Sequence, residues 1–157
     1  VAGSVLIWIA IIAMFVQSGT GSFHIDEIQN VIPDKFSSEF QSAFFLMLMI
    51  GFGILAGLWP FHTWSPDGHV AAPTAVSMVH AGVLMKLGAF GIIRDGMTLL
   101  PEGAQVWMPL LIVLVPVNVI YGTLSAMGQT ALNYVRGFSS VSNMGYVSLV
   151  LGSLIHA

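Results

Sequence analysis

The sequence predicts an all-α protein, a polytopic bundle of about five transmembrane helices that forms one membrane domain over residues 1–157. Two observations predict this class. Hydrophobic residues make up 56% of the chain and charged residues only 7%, whereas a soluble domain carries about 25% charged residues. The segments 41–66 and 106–128 contain no charged residue, and about 20 mostly apolar residues are enough to cross a bilayer.

The composition also excludes several classes of protein. Four basic and seven acidic residues are too few to cover a globular surface in water, which argues against a soluble binding module. The chain has no cysteine, so disulfides, thiolate catalysis and cysteine-ligated metal centres are excluded within it. The net charge of −3 comes with no basic cluster, so we expect no nucleic-acid partner.

Both ends of the chain are apolar. Residue 1 is not Met and already lies in an apolar run, and residues 148–157 are apolar as well. The first run has no basic flank or cleavage context that would indicate a signal peptide. We therefore expect an internal fragment of a longer membrane protein.

The predicted spans begin with residues 1–16, which read as the end of an apolar helix. Residues 17–40 form the most polar stretch, in which charged and apolar residues interleave. This alternation predicts a polar interfacial loop with a short helix lying on the membrane.

The second predicted span, residues 41–66, contains Pro60 and Pro66. Because proline removes a backbone donor and clashes with the preceding turn, we expect the helix to be broken near Trp59–Pro60. The segment after the break should line protein or water rather than lipid.

Three further spans are predicted at 73–94, 106–128 and 138–157. Pro73 lies at the favoured first turn of its span and Arg94 closes it. Pro116 is expected to kink the fourth span. Loops over 95–105 and 129–137 join these spans, and their basic residues are too few to indicate orientation in the membrane.

Lys86 lies slightly past the middle of the span 73–94, about 12 Å from its nearer end. A lysine at this depth costs at least about 2.5–3.5 kcal/mol, so it should face the bundle interior or water. It shares a helical stripe with Gly82 and Ala89, and small residues favour close helix packing. Two interpretations stay open: a proton-relay lysine, and a lysine that snorkels to the interface or forms a structural ion pair.

Two histidines are further relay candidates, since histidine titrates near neutral pH. His80 precedes Lys86 on the same span and points about 120° away on a regular helix. His62 flanks the predicted break together with His69. The alternatives are a hydrogen bond to a neighbouring helix for His80, and capping of the broken helix for His62 and His69. A metal site with Asp67 matches no standard ligand spacing, so we expect no metal.

Four segments resemble one family, the antiporter-like membrane subunits of proton-pumping NADH:quinone oxidoreductase, respiratory complex I. They are residues 59–69, 72–74, 82–88 and 137–145, which read WPFHTWSPDGH, APT, GVLMKLG and GFSSVSNMG. The likeness is greatest to the subunit M, or chain 4, branch. Related subunits occur in cation/proton antiporters and membrane-bound hydrogenases.

The resemblance implies that the chain covers central helices of a subunit that has about fourteen helices. In the family, the helix before the one that carries the central lysine is discontinuous. Lys86 takes the place of the family's central relay lysine. The chain would be a non-redox subunit of a quinone-reducing translocase, integral to the membrane, with the bacterial inner membrane as its expected location. No cofactor is expected in this chain. Quinone, flavin and iron–sulfur clusters are expected in other subunits of the complex. The expected partners of this chain are the other membrane-arm subunits and the lipid bilayer.

The chain departs from the family pattern at three places. A second family lysine is replaced by Leu55, an Asp-x-Lys connector reads Ala131-Leu-Asn133, and Asn143 replaces a frequent histidine. These departures leave three hypotheses: a proton-translocating subunit of a quinone reductase, a subunit of a separate cation/proton antiporter or hydrogenase, and a membrane-arm scaffold with an impaired path. His62 or His80 could substitute for the missing lysine.

Overall fold

Helices form every regular element in the computed structural model, which describes residues 1–35, 37–59, 61–97 and 99–156, without the side chains of 32–35, 96–97 and 155–156. This confirms the predicted all-α class. The helices are α1 Ala2–Ser18, α2 Ile25–Lys35, α3 Ser38–Ala56, α4 Trp64–Ala71, α5 Thr74–Val79, α6 Met85–Gly91, α7 Pro101–Met127 and α8 Leu132–His156.

Two π-helical turns, His80–Leu84 and Ile92–Met97, flank α6. Helix α5, the first π turn, α6 and the start of the second π turn run on as one helix, Thr74–Asp95, called the Lys86 helix below. A π turn contains one more residue than an α-helical turn and is often found at functional sites.

Among the described residues, three helices are long and apolar enough to cross a membrane: α3, the Lys86 helix and α7. Helix α1 is apolar but has only 17 residues. The outer two of the five predicted spans, at 1–16 and 138–157, stay predictions.

Helix α2 lies within the polar stretch 17–40. Asp26 and Glu27 occupy its exposed first turn, while Ile28 is buried. Ile25 and Ile28 pack against the hydrophobic core. The element therefore has one apolar and one charged face, which is the pattern of a helix lying at a membrane surface.

The break in the second predicted span comes earlier than its prolines indicate. Helix α3 ends at Ala56, and Gly57 follows with φ of 75°. A side chain at Gly57 would lie 2.9 Å from the Met85 methyl, so glycine is needed both for its left-handed backbone and for space. The helix ends before Trp59, and Pro60 itself lies outside the described residues. Pro66 lies inside α4 rather than at the end of the span.

Two later helices begin before their predicted starts. Helix α7 begins at Pro101 instead of 106, because proline is favoured in the first helical turn, where its missing N–H is not needed. Pro109 and Pro116 both lie inside this helix. Helix α8 begins at Leu132 instead of 138. The polar composition of these first turns predicts loops. A helix end that contacts polar surroundings, however, need not be apolar.

Glycines allow the helices to approach closely. A Cβ at Gly88 would lie 2.7 Å from the Phe52 carbonyl oxygen of α3. A Cβ at Gly137 of α8 would lie 2.6 Å from the Pro66 Cα of α4. Small residues thus place the Lys86 helix on α3 and α4 on α8, as expected for packing in membranes.

Asn118 of α7 links the break to α8. Its Oδ1 accepts a hydrogen bond from the Trp59 backbone N–H at 2.9 Å, and its Nδ2 donates to the Val141 carbonyl at 2.9 Å. The side chain is 1% exposed. Because the helix is interrupted at Trp59, this N–H needs a partner from another helix.

Replacing Asn118 with Leu should destabilise the fold. The substitution keeps the volume but leaves the Trp59 N–H without its partner, at about 1–3 kcal/mol, and removes the link to the Val141 carbonyl. We expect a lower thermal unfolding temperature of the detergent-solubilised protein. The matched control is Asn143→Leu, an exposed amide on α8. Equal unfolding temperatures for the two variants would contradict the proposed link.

Candidate functional site

Lys86 is the second residue of α6 and lies on an exposed side of the Lys86 helix. It lines a cavity of about 540 Å³ between this helix and α8. Gly82 lines the cavity from the same helix, and Ser140 and Asn143 line it from α8. The lysine therefore opens onto a space with hydroxyl and amide groups on its opposite wall.

The residues next to Lys86 hold its helix in place. Met85 is fully buried, and its sulfur accepts a hydrogen bond from Ser65 Oγ at 3.7 Å. Gly88 lies against α3. The two small residues predicted to share a stripe with Lys86 have different surroundings. Ala89 is buried, whereas the space around a Cβ at Gly82 is open. The surface that packs on α3 thus lies beside Lys86 and does not include it.

The first π turn ends at Leu84, two residues before Lys86. The Met85 N–H donates to the His80 carbonyl, five residues back, rather than to the residue four back. This extra residue changes the angle between His80 and Lys86 from the value that a regular helix gives. No pattern in the sequence predicts this irregularity.

A second cavity, of about 220 Å³, adjoins the first. The two share three lining residues, Met78, Ala81 and Ser140. The polar residues of the second cavity are His69, Ser77, Arg136, Ser139 and Ser140. We call the two cavities together the Lys86 groove, with Lys86, Ser140 and Asn143 at one end and His69, Ser77 and Arg136 at the other.

His69 is the buried end of the groove, at 3% exposure. Its Nδ1 lies 2.7 Å from Ser77 Oγ, and its ring centroid lies 4.8 Å from that of His80. His80 also contacts Trp64, at 5.0 Å between ring centroids. The sequence analysis gave His69 only a structural role. One feature of the sequence could have placed His69 near the Lys86 helix. It is the short connector 72–73, which forces α4 and the Lys86 helix to be neighbours.

His62 lies apart from this cluster. It is 4% exposed, and its ring makes an edge contact with Tyr121 of α7 at 4.8 Å between centroids. The structure thus joins Lys86 and His69 along one groove, with the His80 ring against that of His69, and places His62 against another helix.

Leu55 lies in the last turn of α3. It lines a third cavity, of about 460 Å³, whose other walls include Ile7 of α1 and Trp64 of α4. The Trp64 indole N–H donates to the Ile54 carbonyl at 2.8 Å and so connects the two sides of the break. Leu55 is therefore half-buried beside the interrupted helix, with open space next to its side chain.

Two further observations concern Arg136 and metal binding. The Arg136 guanidinium donates to the Asn133 side-chain oxygen at the start of α8. In the described part of the chain, no three His, Asp or Glu side chains come together in a way that could hold a metal ion.

The chain matches a known family over nearly its whole length. Residues 1–155 match the family described as NADH:quinone oxidoreductase/Mrp antiporter, TM.

Individual relatives agree with this match. The chain is 37% identical over 152 residues to the NAD(P)H-quinone oxidoreductase chain 4 of Gloeobacter violaceus, covering 97% of this chain and 28% of that protein. It is 34% identical over 155 residues to the NADH-quinone oxidoreductase subunit M of Rhodobacter capsulatus, covering 94% of this chain and 30% of that protein. The chain thus spans less than a third of the length of these relatives.

A solved structure shares the fold. A chain of the membrane-bound sulfane sulfur reductase, described as an archaeal respiratory membrane complex, superposes with a TM-score of 0.85 at 22% identity, covering 96% of this chain and 30% of that one. Together, the family match and the two relatives confirm the resemblance found in the motifs: the chain belongs to the NADH:quinone oxidoreductase/Mrp antiporter family of transmembrane proteins.

Proposed function

We propose that the chain is part of a proton-translocating membrane-arm subunit of an NADH, or related donor, quinone oxidoreductase, and that Lys86 is a proton-relay residue. One observation carries the proposal. Lys86 lies on an apolar helix long enough to cross a membrane, yet it opens onto a groove whose opposite wall carries the polar side chains of Ser140 and Asn143. A charge in such a segment is costly, and it is retained where it serves a path for ions or protons.

The geometry suggests how protons would pass. A protonated lysine has three N–H donors and a neutral one has a free lone pair, so Lys86 can accept a proton from one side of the groove and release it to the other. Ser140 and Asn143 offer hydroxyl and amide groups that can hold water opposite the amine. Water held there would bridge Lys86 and the polar end of the groove at His69.

This role places the redox chemistry elsewhere. Quinone, flavin and iron–sulfur clusters would belong to other subunits of the complex, and this chain would be a non-redox part of the enzyme. Its partners would be the remaining membrane-arm subunits and lipid, in the bacterial inner membrane. The exposed apolar residues Val76, Val83 and Phe90 on the Lys86 helix fit a face covered by lipid or by other helices.

The same fold suits a second function, a subunit of a cation/proton antiporter or of a membrane-bound hydrogenase. The matched family includes Mrp antiporters, and the solved structure with this fold belongs to a sulfane sulfur reductase. The functions differ in what proton movement is coupled to: electron transfer in the oxidoreductase and hydrogenase, and movement of another cation in the opposite direction in the antiporter. A third possibility, a scaffold with an impaired path, is favoured by Leu55 and Asn133.

Replacing Lys86 with Gln in the complete complex should lower the number of protons pumped per electron. Glutamine keeps a polar side chain of similar length but carries no transferable charge. The measurement is proton pumping by vesicles that contain the assembled complex, relative to their electron-transfer rate. The matched control is Arg94→Gln, which removes an exposed cation from the end of the same helix. Unaltered pumping by assembled Lys86→Gln would favour the scaffold function.

Replacing Leu55 with Lys should raise the number of protons pumped per electron if the path is incomplete at this position. The cavity beside Leu55 has room for the longer side chain. The control is Leu55→Met, which lengthens the side chain without charge. No change in pumping by assembled Leu55→Lys would argue against a functional gap there.

A further inference from the structure

We propose that the cavity at the Arg136 end of the Lys86 groove binds a phosphate group, either the phosphodiester of a lipid headgroup or a free phosphate ion. The Arg136 guanidinium binds the phosphate oxygens, together with the hydroxyl of Ser139. The site goes beyond the proposed function and does not depend on it, because it requires only that the Lys86 helix crosses a membrane.

The cavity has a cation and no acidic residue in its wall. Its polar lining residues are Arg136, Ser139 and Ser140 of α8, His69 of α4 and Ser77 of the Lys86 helix. Among the described residues, no carboxylate forms an ion pair with Arg136, and Asp67 of α4 is exposed. A cavity lined by an uncompensated cation and by hydroxyl groups favours an anionic ligand, because the anion gains both charge attraction and hydrogen bonds.

The side chain of Arg136 is oriented by its own helix. Its guanidinium donates a hydrogen bond to the Asn133 side-chain oxygen, three residues earlier. Because arginine has five N–H donors, this bond leaves other donors for a second acceptor. A planar guanidinium can bind two oxygens of one phosphate at the same time, which makes arginine well suited to phosphate recognition.

The two serines after Arg136 add uncharged groups to the same wall. Ser140 Oγ donates to the Arg136 carbonyl at 3.0 Å, so its hydroxyl is used within the helix. Ser139 is exposed, and no described residue makes a hydrogen bond with its side chain. Since a serine hydroxyl rotates to suit its partner, Ser139 is able to donate to an anion bound by Arg136.

The opposite wall of the cavity is already hydrogen-bonded. His69 and Ser77 are both buried, and Nδ1 of His69 lies 2.7 Å from Ser77 Oγ. These two polar atoms are therefore partners of each other, and neither needs the Arg136 guanidinium. The anion-binding groups thus belong to α8, and the other wall limits the space beside them.

Two parallel helices begin at this end of the groove. The cavity at Arg136 lies between Met78 and Ser139, and the adjoining one lies between Lys86 and Asn143. Because the residue numbers rise in the same direction on both helices, their N-terminal turns lie together. The N-terminus of a helix carries a partial positive charge, so both helices add to the attraction for an anion.

The position of the cavity along the helices indicates the headgroup level of the bilayer. The Lys86 helix has 22 residues, which gives a length of about 33 Å, little more than the hydrocarbon core of about 30 Å. Its first turns therefore lie at the boundary between hydrocarbon and headgroups. Ser77 is in the first turn, three residues after Thr74, which places the cavity where the phosphates of a bilayer lie.

The test uses a single thiol placed at the cavity. The chain has no cysteine, so Met78→Cys introduces its only thiol, at an exposed residue of the lining. The measurement is the rate at which the uncharged reagent N-ethylmaleimide labels this subunit in the complete complex. One arm titrates inorganic phosphate into the complex in a neutral detergent. The other arm compares vesicles of phosphatidylglycerol and an uncharged galactolipid with vesicles of the galactolipid alone.

A bound phosphate group should slow labelling of the Met78→Cys thiol in at least one arm. Adding Arg136→Gln should weaken this protection by about tenfold or more in ligand concentration, because it removes charge-assisted hydrogen bonds. Ser139→Ala should weaken the protection less, since it removes an uncharged donor. The matched control is Arg94→Gln, which removes an exposed cation from the other end of the Lys86 helix and should leave the protection unchanged.

The two arms distinguish the sources of the phosphate. Protection by phosphatidylglycerol alone assigns the site to a lipid headgroup. Protection by inorganic phosphate alone assigns it to the free ion. Protection in both arms assigns it to the phosphate group that the two ligands share.

Three outcomes would overturn the inference. The first is labelling that neither phosphate nor phosphatidylglycerol slows. The second is protection that persists in Arg136→Gln, because the ligand would then bind elsewhere. The third is faster labelling in Arg136→Gln with no anion added and no protection by either ligand, which means that an acidic side chain from another part of the subunit pairs with Arg136. Pumping by Lys86→Gln is a separate measurement, so the proposed function stands or fails independently.

Discussion

The structure depends on how the backbone of an interrupted helix is satisfied away from water. Where α3 stops at Gly57, the backbone loses helical partners, and in a bilayer each lost hydrogen bond is costly. Side chains of other elements replace them: Asn118 accepts from the Trp59 N–H, and the Trp64 indole donates to the Ile54 carbonyl. Both bonds cross elements, so the break is stable only when α4 and α7 are in place.

The position of the groove follows from this constraint. Asn118 also donates to α8, and Pro66 of α4 lies against Gly137 of α8. Helix α4 is thereby held between α8 and the Lys86 helix, which brings His69 beside His80 and Ser77. The same packing leaves a polar space between the Lys86 helix and α8. A continuous α3 helix would give no such arrangement, because His69 would then be carried along the axis of α3 and away from the groove.

The structure also shows what lies near Leu55, which replaces a lysine of the family pattern. Leu55 lines a cavity that Trp64 also lines, and Trp64 contacts His80, whose ring contacts that of His69. The position without the family lysine is thus accompanied by two histidines near the same break.

The sequence by itself determined the helical class, the apolar spans, the amphipathic α2 and Lys86 as a costly charge, because these follow from local composition and periodicity. Its motifs also indicated the family. Only the tertiary structure decided that the break starts at Gly57, that a π turn precedes Lys86, and that His69 rather than His62 shares the groove with Lys86. These features depend on which helices meet: a Cβ at Gly57 would lie 2.9 Å from the Met85 methyl of another helix, and His69 meets Ser77 and His80 only when α4 packs beside the Lys86 helix. No local pattern in the chain encodes such contacts between distant residues.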